Sequence, residues 1–419
     1  MVEGESIEYN TSTWKQWMKV VGPGIVVMLA DTDAGCLVVA AQSGAKYGYS
    51  LIPLQVVLIP VLWAAQELTV RLGLVTGKGH GELIMQHFGP MWAWISVATL
   101  IVACAGAIVS EFVGVAAVGN IWGIPEWVSV VISAVFLISV VTTGSYRSTE
   151  RVAVCIGLFE LVFIVTAIMA QPSFEDLSNA FVEQPIRNTR YVKLATANIG
   201  AVIMPWMIFY QQSAVIDKGL KARDLTISRW DTLIGAILTQ AIMCCVIITT
   251  AATVWKKEGG RSLNSIEEIA DSISAHLGDL AGKILFSFGL LGGSLVGGLV
   301  VSLTAAWGLG EVTGYQRSLE KKPLEAPEFY LTYSVMIVFG AVLAIIYPDP
   351  VQLEVFVEIL NALLLPIVLG FLYLLALRAL PERYRLKGWY MWTTGAMFSL
   401  CVLFAIYLVV LLAIGGEDI

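Results

Sequence analysis

Long apolar stretches separated by short polar ones dominate the chain. Runs long enough to cross a bilayer occur near residues 17–47, 52–75, 91–120, 126–143, 151–170, 191–215, 231–254, 281–308, 331–347, 355–379 and 390–414. A hydrocarbon core takes about 20 apolar residues of helix, so the pattern predicts eleven spanning helices. The first and sixth are overlong or interrupted. Trp14, Trp17, Trp127, Trp255, Trp389 and Trp392 stand at segment ends, where amphipathic rings favour the membrane–water boundary. The longest connections are about 171–192 and 255–280. Within the second, Leu263–Leu277 reads as a surface helix capped by Asn264, with Glu267 and Glu268 in its first turn.

Positive charge orients the chain. With the amino terminus inside, the inner tail and loops hold 17 of the 25 Lys and Arg residues, among them Lys19, Arg71, Arg147, Lys218, Arg229, Arg317 and Arg383. The expectation is a cytoplasmic amino terminus and an extracellular carboxyl terminus, in the cell membrane. The start, MVEGESIEYN, is acidic and shows no signal peptide.

Composition sharpens the class. Hydrophobic residues make up 57% and charged ones 14%, against about 25% charged in soluble domains. A net charge of −7 argues against nucleic acid as a partner. All six cysteines lie in apolar runs without paired metal-ligand spacing, and read as small buried residues. Residues 1–419 form a single transmembrane domain, with no obligate protein partner implied beyond the lipid bilayer.

The chemistry lies inside the spans. In GPGIVVMLADTDAGCLVVAA, Asp31 and Asp33 fall mid-helix beside Gly35. An ionised Asp there costs about 2.5–3.5 kcal/mol on insertion scales. It is either a capped helix end near one surface or an unwound stretch whose carbonyls and carboxylates hold a cation. Helix 6 carries TANIGAVIMPWMIFYQQSAV, in which Pro205 removes a helical donor. Interruptions in helices 1 and 6 stand first in two five-helix halves, about 17–170 and 191–379, with helix 11 at 390–414 outside them. Corresponding breaks of this kind point to a midplane substrate site. Helix 10 places Glu354, Glu358 and Asn361 on one face at i, i+4 and i+7.

The runs GPGIVVMLADTDAG, QELTVRLGLVTG (Gln66–Gly77), YRSTE (Tyr146–Glu150) and AVIMP (Ala201–Pro205) together resemble the NRAMP family of divalent metal transporters. The resemblance runs from about residue 20 to 380. It implies a LeuT-type fold: an all-α polytopic membrane protein of two inverted five-helix repeats, here with an eleventh helix, broken at the midplane in helices 1 and 6. It also implies metal ligands. The family's Asp-Pro-Gly-Asn falls on Asp33-Ala34-Gly35-Cys36, so Asp33 is kept and Cys36 replaces Asn. The family's Ala-x-x-Met is present as Ala201 and Met204, while Glu358, aligned on Pro366, falls near a Gln that approaches the metal. Asp31 adds a carboxylate where the family is usually uncharged. The expected ligands are therefore Asp31, Asp33, Cys36, Ala201, Met204 and Glu358, with Glu111, Trp206, Gln211 and Asn361 behind them.

Other departures concern protons. The helix 6 histidines of the family become Trp206 and a residue near Gln211, and the helix 3 Asp becomes Ile108, three residues before Glu111. These changes resemble the divergent NRAMP-related magnesium transporter branch. Magnesium prefers oxygen ligands and retained water, which suits extra acids, whereas Met204 and Cys36 suit manganese. The sequence reading is a secondary-type carrier of magnesium, and also manganese, working without proton coupling and without a cofactor. The alternatives are a proton-coupled manganese or iron transporter and, from another class, a divalent cation channel. An amino-acid carrier is disfavoured because Asp31 and Asp33 would repel a substrate carboxylate. An enzyme is disfavoured because His80, His87 and His276 all lie outside mid-span positions. Glu67 and Arg71 read as a local i, i+4 salt bridge. Glu160 and Asp231 read either as gate partners of nearby arginines or as structural groups.

Overall fold

The computed structural model describes residues 13–172, 174–181, 185–275, 278–346 and 350–414. The acidic start of the chain and His276 lie outside them. Among the described residues there are ten continuous apolar spans and one bent pair, which together match the eleven expected. Helix 1 comprises 1a, Pro23–Ala30, and 1b, Ala34–Tyr47, bent by 55° at the break. Helices 2 to 5 are Ile52–Thr76, Pro90–Ile121, Glu126–Thr143 and Tyr146–Met169. Helix 6 comprises 6a, Thr189–Val202, and 6b, Pro205–Asp217; its halves run on as one span. Helices 7 to 11 are Ala222–Glu258, Asp279–Thr313, Pro327–Ile346, Pro350–Arg378 and Gly388–Ile414.

Helix 7 exceeds its apolar segment at both ends, because polar residues such as Arg223 and Lys257 continue the helix past the apolar core. Hydropathy finds the membrane-matched part of a helix, not its caps.

Packing follows from which helices bury all their faces. Helix 6 has 94% of its apolar window buried, whereas helices 4 and 11 have 22% and 28%. The latter present Val131, Ile132, Val135, Leu400 and Leu403 outward, as lipid-facing helices do. Helix 3 lies against helix 8, helix 2 against 6b, and helix 7 against helix 1. Helix 1a meets helix 5 as 6a meets helix 10. Exchanging helices 1–5 with 6–10 reproduces these pairings. An odd number of spans per half turns the second half over in the bilayer, giving the inverted repeat.

The surface helix is Ile266–Ser274, and its cap is Ser265 rather than Asn264. Ser265 has extended backbone, and its hydroxyl accepts from the Glu268 amide at 3.2 Å, a reach that Asn264 lies one residue too early to make. Glu267 and Glu268 occupy the first turn as expected. The cysteines divide: Cys36, Cys104 and Cys401 are buried, but Cys155 is exposed on the outer face of helix 5.

Close backbone approach holds helix 6a to helix 10. A methyl group on Gly200 would collide with the Glu358 carbonyl, whereas one on Gly370 of helix 10 meets nothing within 4 Å. Gly200→Ala should therefore destabilise the protein by about 1–3 kcal/mol through overpacking. Gly370→Ala should leave stability unchanged or raise it by up to about 1 kcal/mol through helix propensity. Thermal unfolding of the two variants in detergent checks the contrast.

Candidate metal site

The break in helix 1 is made by its polar run. After Ala30, the Thr32 hydroxyl is shared between the Leu29 carbonyl, 3.1 Å away, and the Glu160 carboxylate of helix 5. A side chain that competes for the backbone in this way weakens helix continuation. Asp33 then has extended backbone and accepts the Cys36 amide at 2.8 Å, so helix 1b starts on an Asp cap. One Asp33 oxygen serves the helix; the other, Oδ2, has no partner.

Helix 6 breaks through proline. The residue before a proline is pushed toward extended backbone, and Met204 has φ −86° and ψ 140°. Pro205 opens helix 6b, where its missing N–H costs nothing. That same absence deprives Ala201, four residues earlier, of its helical donor. The freed Ala201 carbonyl accepts the Cys36 thiol at 3.0 Å, which joins the two breaks.

Three ligand types converge there. One ligand atom each from Asp33, Cys36 and Glu358 lies within 4.8 Å of the others. Gly35 makes room for them: a methyl group on it would collide with Glu358 Oε1 and stand 3.2 Å from Glu354 Oε2 and Ser110 Oγ. Asn361 donates to Glu358 Oε2 at 3.1 Å, and Ser110 to Glu354. Glu111 stands beside Asp33, packed on Gly297 of helix 8. Asp31 turns toward helix 7, where Thr239 donates to it at 3.3 Å.

Asp31, Asp33, Glu111, Glu160, Glu354 and Glu358 are each at most 1% exposed. Among the described residues none of the six forms an ion pair with a basic side chain. Like charges this close in a poorly solvated space repel strongly, and either a bound divalent cation or proton uptake relieves them. Oxygens of Asp31, Asp33, Glu111, Glu160 and Glu354 have no hydrogen-bond donor. The donor set, two carboxylates and a thiol beside a backbone carbonyl, can bind a metal ion of intermediate hardness.

The site is shut on both sides. At the start of helix 1a, Asp231 of helix 7 accepts the Gly22 and Gly24 amides at 3.2 and 2.8 Å. Lys218 donates to the Val21 carbonyl and pairs with Glu150, both at 2.8 Å. At the far end, Gln42 of helix 1b bonds the Leu263 backbone in both directions, and Asn198 bridges Ser43 and Gln55 at 2.9 and 2.6 Å.

Of the expected residues, Asp33, Cys36, Ala201, Glu358 and Asn361 come together, with Glu111 alongside. Met204 is buried at the helix 6 break, and Trp206 follows it fully buried with an unpartnered indole N–H. Gln211 does not join the cluster; two turns along helix 6b, it donates to Thr232 at 3.0 Å. Among the described residues neither Glu160 nor Asp231 pairs with an arginine. Glu160 bonds the Thr32 hydroxyl, and Asp231 accepts free backbone amides at the start of helix 1a. Glu67 does pair with Arg71 at 2.6 Å, and Arg229 and Tyr390 join it at 2.7 and 3.1 Å. Ser110 and Glu354 were missed as neighbours of the ligands, although the spacing of Glu354 and Glu358 already put both on one face.

Two broken-helix repeats around a buried acidic site define a LeuT-type membrane protein. Residues 24–411 match the family described as Natural resistance-associated macrophage protein-like, and the chain belongs to it. It is 27% identical over 242 residues to the divalent metal cation transporter MntH of Klebsiella pneumoniae, covering 56% of this chain and 58% of that one. To MntH of Bradyrhizobium diazoefficiens it is 25% identical over 299 residues, covering 67% and 65%. These alignments thus span less than two thirds of the relatives' length. The fold matches the Eremococcus coleocola manganese transporter with TM-score 0.79 at 18% identity, over 99% of this chain and 91% of that one. A Na+-coupled sialic acid symporter is similar at TM-score 0.60 and 13% identity, over 94% and 89%.

Gly35→Ala would push a methyl group into the Glu358 carboxylate. The expected result is a loss of metal affinity of about tenfold or more, of the order of one displaced charged ligand, read by calorimetry. Gly370→Ala should bind as the parent does.

Proposed function

We propose that this protein is a secondary-type carrier of divalent metal cations that works by alternating access, with manganese as its first substrate. The observation that carries the reading is the Asp33, Cys36 and Glu358 group at the break of helix 1, buried and without a basic partner. Kinship with the MntH transporters and the fold shared with a manganese transporter support it. Sulfur beside carboxylate suits manganese better than magnesium. The surplus of carboxylates favours magnesium as a competing substrate, which is the remaining support for the magnesium branch. Calcium, needing six to eight oxygens at longer distance, fits this set poorly. The charge distribution of the loops supports a cytoplasmic amino terminus in the cell membrane.

Two readings of the driving force differ by specific residues. Proton co-transport is the family's implied mode, and buried carboxylates beyond the ligand set supply groups able to exchange protons as the metal comes and goes. Uncoupled movement is favoured by Trp206 and Gln211, which do not titrate where the family has histidine. A divalent ion moving alone gains about 4.6 kcal/mol per 100 mV, enough for uptake without protons. We place the coupled reading first.

Proteoliposomes test both levels. Manganese uptake should saturate, slow in the presence of magnesium but not calcium, and vanish in Asp33→Ala. Uptake that persists in a folded Asp33→Ala variant sinks the site assignment. With a pH-sensitive dye in the lumen, added manganese should acidify the interior beyond the passive leak. Flux without acidification establishes the uncoupled reading instead.

A further inference from the structure

Among the buried acids outside the direct ligand group, Glu354 shares a helix face with a ligand. Glu354 lies one turn before Glu358 on the same face of helix 10 and is fully buried. It belongs neither to the close group of Asp33, Cys36 and Glu358 nor to any ion pair among the described residues. Yet it faces the same glycine. Glu354 Oε2 sits 3.2 Å from the position a Gly35 methyl would take, steadied by the Ser110 hydroxyl. Its other oxygen, Oε1, has no donor at all.

A buried carboxylate beside the cation group but outside direct ligand spacing, with one oxygen held by Ser110 and the other lacking a donor, can accept from something that is not protein. Water held by the cation supplies that donor. A metal-bound water carries two polarised hydrogens, and bonds to an ionised acceptor are among the strong ones. Magnesium dehydrates reluctantly and keeps several waters when protein-bound. An ion that uses the Cys36 sulfur can shed more of its water and depends less on such an acceptor.

We propose that Glu354, positioned by Ser110, is the specificity-determining residue that accepts hydrogen bonds from the retained waters of a hard divalent cation, and so admits magnesium alongside manganese. This rests on the metal-site reading above.

Calorimetry on the purified full-length protein separates the two claims, using magnesium chloride and manganese chloride as probes. Glu354→Gln keeps the shape and a Ser110 partner but removes the charge. Its affinity for magnesium should fall about tenfold while that for manganese changes less than about twofold. Ser110→Ala, which loosens Glu354 and leaves its charge, should shift the ratio in the same direction by a smaller factor. It decides the question if Glu354→Gln does not fold. Equal losses for both metals, or no change in either variant, overturn the proposal. Wild-type protein that binds manganese but not magnesium overturns it and leaves the carrier reading standing. Wild-type protein that binds neither overturns both.

Discussion

A carboxylate taken out of water must find donors or positive charge. Around the break in helix 1, six carboxylates have found few donors and no basic side chain among the described residues. The rest of the centre follows from that scarcity. Asp33 spends one oxygen on capping helix 1b, Glu160 takes the Thr32 hydroxyl, and Glu354 takes Ser110. These bonds leave several carboxylate oxygens buried without a donor. Proline in helix 6 adds a carbonyl freed from its helix, which the Cys36 thiol takes up.

Much of this was legible in the chain. Apolar runs located all eleven spans because the membrane imposes a length on them. Asp31 and Asp33 marked the first break because charge inside a span needs a cause. The i, i+4 and i+7 spacing of Glu354, Glu358 and Asn361 gave their common face, since a helix fixes it. Partners far apart in sequence left no such trace. Asp231 caps a helix more than two hundred residues before it, and Arg229 and Tyr390 complete a pair that looked local between Glu67 and Arg71. Gln211 counted as a metal neighbour through its place in a motif, yet the turn of helix 6b carries it to Thr232. The balance between magnesium and manganese was least legible, because it depends on how acids and sulfur are arranged rather than on their number.

The arrangement of Glu67 also explains a role for helix 11, which stands outside the repeat. Tyr390, near the start of that helix, donates to Glu67 at 3.1 Å, and its ring lies under the Arg71 guanidinium. The added helix is therefore fastened to helix 2 by polar contacts at one membrane face, while most of its length faces lipid.

Helix 7 touches both halves of helix 1, and the fastenings differ in kind. Below the break, one carboxylate of helix 7 holds two amides of helix 1a. Above it, Gly44 of helix 1b lies flush against Thr250 and Ile247, and the segment that follows helix 7 bonds Gln42 and Ala45. The few residues between the halves form no continuous helix, and each half keeps its own contacts with helix 7. Two doors thus hang from a single post, each with its own latch.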